Sequence, residues 1–373
     1  MSRDETIRAR ATYVASRLES AARELVRRGV YAVAALLAVP ALDEPIRVAV
    51  GSVDADGSAP LTGEELFAVA SQSKMLTAAC VLLLARDGAI SLEDPVSKYV
   101  PDVPAVDEDA TVAQFLNHTS GIGNFIHAMT VLPHPWPRMS YDDLMALARL
   151  HGRQFRAGER LDYNNTDVVV LARLCERVGG LPLPKLLSKR IFAPLGMRDT
   201  FIAQGEAWPR LRMARGYYMP SQGYEGPMID VSTLADYSVA SAAGNVVSSL
   251  ADMMRFARCL LGETTAIGLG TADFVAGVAE ADLGAASWFF PRTYARGVES
   301  WHWAGRRFWG HRGSFFGYHS GTFVDPQSGV SFSMFLTMCT AGSFLRFIDL
   351  QAHDYMAFLE SCAHSALDVA ELP

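Results

Sequence analysis

The sequence predicts an α+β protein in which one antiparallel sheet, flanked by helices as an α/β sandwich, is built from both ends of the chain. Strand-like segments with alternating or continuous apolar residues occur at 31–39 and 46–53 and again between 299 and 338. Residues from about 71 to 242 instead show helical periodicity broken by loops that contain proline and glycine. Because a lone hairpin is marginally stable in water, the strands of both ends are expected to pair with one another.

This pattern divides the chain into two parts. We assign residues 1–70 together with 243–373 to an α/β sheet domain, and residues 71–242 to an inserted, mainly helical lobe. An amphipathic helix is expected over residues 3–28 and a terminal helix near 344–362. Clefts between lobes are common places for binding sites, so we expect the active site between these two parts.

An apolar run at residues 30–42 follows the first predicted helix. Thirteen apolar residues interrupted by Pro40 are too few to span a bilayer, and the acidic residues Glu19 and Glu24 before them are unlike the start of a secretory signal. We therefore interpret the run as a buried strand and expect no membrane association. The five cysteines are odd in number and widely separated, which is typical of the reduced cytoplasm.

Composition and charge exclude several classes of protein. Half of the 373 residues are hydrophobic and the net charge is −7, so nucleic acid is not an expected partner. His118 and His127 are nine residues apart and His311 and His319 eight apart, and neither spacing is that of a metal site. Neither a dinucleotide fingerprint nor a phosphate-binding loop is present, and we expect no cofactor and no metal.

The stretch "FAVASQSKMLTAACVLLLARDG" places Ser71 and Lys74 at the start of an apolar helix. Residues three apart share one face of a helix, so the two side chains can come within hydrogen-bonding distance. A lysine amine can take the proton of a serine hydroxyl if burial favours its neutral form, and the serine then becomes a nucleophile. Ser-x-x-Lys also occurs at ordinary solvated helix starts, where the lysine extends into water.

Two further stretches carry residues suited to the same chemistry. In "LDYNNTD", Tyr163 can relay a proton and the amide of Asn165 can orient lysine and substrate, although both residue types are also ordinary in loops and helix caps. In "GHRGSFFG", His311 and Gly313 lie on a predicted strand, and the glycine allows a substrate backbone to approach closely. A histidine among aromatic residues on a strand is more often a packing residue.

The order Ser-x-x-Lys, Tyr-x-Asn, His-x-Gly resembles the serine β-lactamase and penicillin-binding superfamily, and within it the class C β-lactamase-like serine hydrolases, which include D-aminopeptidases and esterases. The resemblance extends from about Phe67 to Thr337. It includes further segments: "DGAISLEDPVSKYVP", "FLNHTSGI", "IFAPLGMRDT" and "SAAGNVVSSLADMMRFA". It implies the β-lactamase and transpeptidase fold.

The resemblance also implies a role for each matching residue. Ser71 would be the acyl-accepting nucleophile, Lys74 its base or base partner and Tyr163 the acid and base, while Asn165 would orient lysine and substrate. The remaining implied roles belong to the His-x-Gly segment. His311 and Gly313 would lie on the strand opposite Ser71, and the backbone N–H groups of Ser71 and Ser314 would form the oxyanion hole.

The chain differs from many β-lactamases at one position of this pattern. His311-Arg312-Gly313 stands where they have Lys-Thr-Gly, and a histidine is only partly charged near neutral pH, so a substrate carboxylate would be held weakly. We do not expect Arg312 to replace the missing cation, because strand alternation directs it away from the face of His311, as a solvated residue. Phe316 is the candidate wall of an apolar substrate pocket, and packing within the sheet is the alternative.

We therefore expect a serine hydrolase that cleaves a D-amino-acid amide, a small peptide or a carboxylic ester through an acyl-enzyme on Ser71. One alternative is an acyltransferase of secondary metabolism, in which an amine or alcohol is the acyl acceptor instead of water. The alternative from another class is a penicillin-binding-like sensor or binding protein with weak turnover. The small-molecule substrate is the expected partner in each case.

Overall fold

Both ends of the chain contribute strands to one eight-stranded sheet in the computed structural model. The structure describes residues 2–104, 106–131, 137–204, 208–219, 225–234, 237–280, 293–341 and 344–371. Its strands are β1 (Ala32–Ala38), β2 (Ile46–Gly51), β3 (Phe67–Ala68), β4 (Phe201–Ile202), β5 (Tyr217–Met219), β6 (Ile229–Asp230), β7 (Val246–Ser248), β8 (Ala279–Glu280), β9 (Thr293–Tyr294), β10 (Glu299–Trp303), β11 (Arg306–Phe315), β12 (Tyr318–Asp325), β13 (Val330–Thr337) and β14 (Cys339–Ala341). The large sheet has the order β2-β1-β13-β12-β11-β10-β9-β8, and its paired strands are antiparallel. The predicted fold class is confirmed.

Helices cover this sheet and form most of the middle of the chain. They are α1 (Arg3–Arg27), α2 (Ser73–Arg86), α3 (Val112–Leu116), α4 (Tyr141–His151), α5 (Asn165–Gly179), α6 (Leu183–Leu187), α7 (Ala193–Leu195), α8 (Leu250–Leu260), α9 (Thr271–Val275) and α10 (Phe344–Ala370). The first helix begins at a capping box between Ser2 and Glu5. The last helix runs eight residues beyond the predicted end at 362. Among the described residues, no helix combines the length and apolarity that crossing a bilayer requires.

Strand β1 lies at the centre of the packing and is buried on both faces. Val33, Ala35 and Leu37 pack into a core with α1 and α10, and the residues between them face a larger core that includes α2, α5 and α8. Since successive side chains of a strand point to opposite faces, a strand covered on both sides reads as a continuous apolar run. The prediction of a buried strand in the run at residues 30–42 is confirmed.

Helix α2 is a core helix that carries the Ser-x-x-Lys segment into the interior. Every residue from Ser73 to Leu84 is buried, and the helix packs against α5. It ends before Gly88, whose φ of +73° is a conformation that suits glycine. The short turn Ala70–Gln72 directly before α2 packs against β11. The division of the chain into a sheet domain and a helical lobe stays a prediction.

Candidate active site

Ser71 lies on a 3₁₀ turn, Ala70–Gln72, directly before α2. Ala70 has a φ of +52°, a left-handed conformation that costs a residue other than glycine about 1–3 kcal/mol. The Oγ of Ser73 donates to the carbonyl oxygen of Ala70 at 2.7 Å and accepts the N–H of Val246 at 3.1 Å. These two hydrogen bonds hold the strained turn in place, so Ser71 is presented from a fixed backbone.

Strand β11 packs directly onto the same turn through Gly313. A Cβ atom at this position would collide with the carbonyl oxygen of Val69 and with the Oγ of Ser320. The hydroxyl of Ser320 donates to that carbonyl oxygen at 2.8 Å. The space that Gly313 leaves is therefore filled by the chain's own backbone, which corrects the expectation that it admits a substrate backbone.

The amine of Lys74 contacts Ser71. Its Nζ lies 3.0 Å from the Oγ of Ser71 and donates to the carbonyl oxygen of Ala243 at 2.9 Å. Burial lowers the pKa of Lys74 well below its usual value, and the negative charge of Glu299 acts in the opposite direction. A neutral amine that donates one N–H to Ala243 keeps a lone pair with which it can accept the hydroxyl proton of Ser71.

Tyr163 approaches the same two groups from the loop before α5. Lys74 Nζ lies 4.9 Å from the centroid of its ring, close enough for a cation–π contact when the amine is protonated. Burial raises the pKa of the Tyr163 phenol, and a hydrogen bond with Ser71 acts to lower it. The phenol is therefore protonated at neutral pH and can donate a proton, while the neutral lysine can accept one.

Two neighbouring asparagines directly follow Tyr163, and the first of them fixes the start of α5. The Oδ1 of Asn164 caps α5 by accepting the N–H of Thr166 at 2.8 Å, and its amide donates to the carbonyl oxygen of Ile122 at 2.6 Å. Asn165 is the first residue of the helix and is buried. The local sequence therefore explains how Tyr163 is held: one asparagine starts the helix, and the next begins its first turn beside Ser71.

A cavity lies next to Ser71 and has mainly apolar walls. Four of the predicted site residues line it, namely Ser71, Asn165, Ser314 and Phe316. The other lining residues are Ala70, Phe125, Ile126, Val239, Ala240, Ala243, Gly244 and Phe315. In the part of the chain that the structure describes, His311 and Gly313 do not line this cavity. Lys74 and Tyr163 reach it through their contacts with Ser71.

His311 is buried in β11 and hydrogen-bonded at both ring nitrogens. Its Nδ1 donates to the carbonyl oxygen of Arg312, so in the neutral ring Nε2 carries no proton and accepts the hydroxyl of Tyr294 at 3.0 Å. Burial lowers the pKa of His311 to about 4, although the charge of Glu299 acts to raise it. The expectation of partial charge near neutral pH is corrected: this histidine is neutral there.

Arg312 points away from the face of His311, as strand alternation predicts, but it is not solvated. Its guanidinium forms a buried ion pair with Glu299, with Nε 2.7 Å from Oε1, and lies 4.3 Å from the ring centroid of Trp301. The indole and the carboxylate enclose the cation inside the protein. The expectation of a solvated strand residue was wrong because the second face of the sheet is covered by α10.

The opposite end of the cavity wall is formed by the residues that end β11. The Oγ of Ser314 lies 2.8 Å from Nδ1 of His319 on β12. The ring of Phe316 packs edge-on against Tyr218 at 4.5 Å between centroids and against Phe315 at 5.4 Å. Phe316 thus serves both as a wall of the cavity and as part of an aromatic cluster, so both interpretations of this residue apply.

Several residues around the site have no signal in the sequence patterns. Glu299 and Tyr294 surround His311 and Arg312 but lie on separate strands, so no local spacing relates them. His118 and Asp167 pair across 49 positions. For His118, the signal in the sequence is the segment "FLNHTSGI", which carries part of the family resemblance.

Comparison with known proteins adds three findings. The family model described as Beta-lactamase matches residues 18–341. Protein Rv1367c of Mycobacterium tuberculosis is 27% identical over 243 residues, which is 59% of this chain and 60% of that protein. The chain spans about half the length of the curated relatives it matches.

Two solved structures resemble this one over nearly the whole chain. The D-amino acid amidase of Ochrobactrum anthropi SV3, in complex with L-phenylalanine amide, superposes with a TM-score of 0.83 at 25% identity, covering 95% of this chain and 99% of the amidase. A D-stereospecific amidohydrolase from Streptomyces sp. gives a TM-score of 0.73 at 26% identity, with 90% and 97% of the two chains covered.

Proposed function

Since the chain belongs to the beta-lactamase family, we propose that it is a serine hydrolase that cleaves an amide or ester bond through an acyl-enzyme on Ser71. One observation carries the proposal: the Oγ of Ser71 lies 3.0 Å from the amine of Lys74, whose pKa is held low by burial. A buried, neutral lysine within hydrogen-bonding distance of a serine is the arrangement that activates a weak nucleophile.

The reaction proceeds in two steps. The Oγ of Ser71 forms a bond with the substrate carbonyl carbon while its proton passes to Nζ of Lys74, and the carbonyl oxygen becomes an oxyanion. The backbone N–H groups of Ser71 and Ser314 stabilise that oxyanion. The bond to the leaving amine or alcohol then breaks, and Tyr163 donates a proton to it and regains one from Lys74. In the second step, water adds to the acyl carbon and gives one proton to Lys74. The ester bond to Ser71 then breaks, the Oγ of Ser71 regains a proton, and a carboxylic acid is released.

The substrate we propose is an amide of an apolar D-amino acid, with small carboxylic esters as further substrates. One structural relative is a D-amino acid amidase crystallised with L-phenylalanine amide, and another is a D-stereospecific amidohydrolase. The apolar residues Phe125, Ile126, Val239 and Phe316 around Ser71 suit an apolar side chain. Asn165 contributes an amide to the same wall, which suits the polar groups beside the scissile bond.

Intact-protein mass spectrometry tests the proposal. Wild type, Ser71→Ala and the control Ser361→Ala, a partly exposed serine of α10, are incubated with p-nitrophenyl butyrate, D- and L-phenylalanine amide and benzylpenicillin, with and without an added amine. We expect an acyl adduct on wild type and on the control but none on Ser71→Ala. Decay of the adduct in water identifies a hydrolase, whereas decay only with amine identifies an acyltransferase.

Two outcomes would overturn the proposal. An adduct that also forms on Ser71→Ala would place the nucleophile elsewhere. Wild type could also form no adduct and show no turnover although its circular dichroism spectrum is that of a folded protein. That result would favour a binding protein that retains the fold.

A further inference from the structure

A second buried pair of titratable residues lies behind the proposed catalytic groups. His118 is 1% exposed, and its Nδ1 lies 2.9 Å from Oδ2 of Asp167 in the first turn of α5. The other oxygen of Asp167 accepts the hydroxyl of Ser120 at 2.5 Å. His118 also has a φ of +60°, a left-handed conformation that is uncommon for residues other than glycine. The backbone and one ring nitrogen are therefore both fixed.

The imidazole of His118 contacts two tyrosines of the site. Its ring meets Tyr163 nearly edge-on, with centroids 4.9 Å apart at 64°, and lies 4.4 Å from the ring of Tyr294. Tyr294 is the residue that donates to Nε2 of His311. The rings of Tyr163 and Tyr294 also contact each other, with centroids 5.8 Å apart, so His118 packs against both members of this pair.

The pair is costly in this position. A carboxyl group and an imidazole are both removed from water here, and Nε2 of His118 has no hydrogen-bond partner among the described residues. Apolar residues of the same volume often replace such buried polar pairs without loss of stability. Burial raises the pKa of Asp167 and lowers the pKa of His118, so burial disfavours the charged form of each group. Packing stability alone does not account for it.

We propose that His118, anchored by Asp167, is a positioning residue that holds the phenol of Tyr163 against Ser71 and Lys74. The hydrogen bond to Asp167 fixes the rotation of the imidazole, and the fixed ring limits the positions that the Tyr163 ring can adopt. The inference rests on the proposed function, because the position of Tyr163 matters for proton transfer. A misplacement of about 1 Å at such a group can lower the rate on the order of 100-fold.

The variant His118→Asn separates this role from a purely structural one. Asparagine accepts the left-handed backbone, and its amide can donate to Asp167 from the place of Nδ1, but it lacks the ring that contacts Tyr163. We expect kcat for p-nitrophenyl butyrate to fall about 10- to 100-fold with KM and Tm nearly unchanged. The exposed His302→Asn is the matched control and should behave as wild type. If His118→Asn does not melt cooperatively, the variant His118→Gln is used in its place, because it also removes the imidazole ring.

A double mutant shows whether the effect acts through Tyr163. If it does, His118→Asn/Tyr163→Phe is no slower than Tyr163→Phe alone, because the group being positioned is already absent. Additive losses would mean that His118 acts by another route and would overturn the proposal, as would an unchanged kcat in His118→Asn.

Amide hydrogen exchange gives a readout that does not depend on turnover. Exchange in a peptide covering residues 160–166 should be faster in His118→Asn than in wild type and unchanged in His302→Asn. If wild type forms no Ser71 adduct, the proposed function fails, while faster exchange still supports positioning. Equal exchange in the two variants would overturn it.

Discussion

Glu299 and Arg312 form a buried, bidentate ion pair in which Nε lies 2.7 Å from Oε1 and Nη2 lies 3.2 Å from Oε2. The same carboxylate also accepts the backbone N–H of Arg312 at 2.9 Å. This pair joins β10 to β11 beside His311, and the negative charge of Glu299 acts to raise the pKa of both Lys74 and His311. It therefore connects the stability of the sheet with the protonation of the site.

Removal of one partner of this pair should be costly. Glu299→Gln leaves the guanidinium of Arg312 buried without its counter-charge, and we expect a loss of about 3–5 kcal/mol in the free energy of unfolding. The double variant Glu299→Met/Arg312→Met removes both charges and should recover most of that loss. Urea unfolding measures both. Equal destabilisation in the two variants would contradict this account.

Activity should fall at acid pH because Lys74 must be neutral to act as a base. Its pKa is lowered by burial, so the neutral form is present above that lowered value and is lost as pH falls through it. Glu299 raises the pKa of Lys74, so Glu299→Gln should move the acidic limb of kcat/KM to lower pH. A pH–rate profile with p-nitrophenyl butyrate checks the sign. A flat profile, or a shift to higher pH, would count against Lys74 as the base.

Because His311 is neutral at neutral pH, it should offer a substrate carboxylate no counter-charge there. The pKa of His311 is lowered to about 4, so the ring is neutral above about pH 5 and gains its positive charge only in acid. We expect kcat/KM for p-nitrophenyl butyrate to exceed that for p-nitrophenyl hemisuccinate at pH 7, with the ratio falling several-fold as pH approaches 4. In His311→Gln that acid-dependent change should disappear; its persistence would assign the effect to another group.

Phe316 should affect large acyl groups more than small ones. Phe316→Ala widens the cavity next to Ser71, and we expect a larger loss in kcat/KM for a phenylacetyl ester than for an acetyl ester. The side chain is also packed against Tyr218, so the substitution costs about 3–5 kcal/mol of stability. Phe316→Leu keeps most of the volume and serves as the control. Equal losses for both esters would reduce Phe316 to a packing residue.

Contacts that are close in the sequence could be predicted, and contacts between distant strands could not. The approach of Lys74 to Ser71 follows from a spacing of three residues at a helix start, and the buried strand β1 follows from its continuous apolar run. The neutral state of His311 could not be predicted, because it depends on the burial of β11 and on the hydroxyl of Tyr294, 17 residues away. Strand alternation predicts the correct face of the sheet for Arg312. It does not reveal that Glu299 forms the ion pair with it.

The collision that any side chain at position 313 would cause has a practical consequence for altering the specificity of this protein. The space beside Gly313 is filled by the backbone of Val69 and the side chain of Ser320. Random substitution of Gly313 should therefore mainly yield protein that does not fold. Ile126 and Val239 line the cavity from other segments of the chain. A combinatorial library aimed at new substrates should therefore vary these two positions and keep residue 313 as glycine.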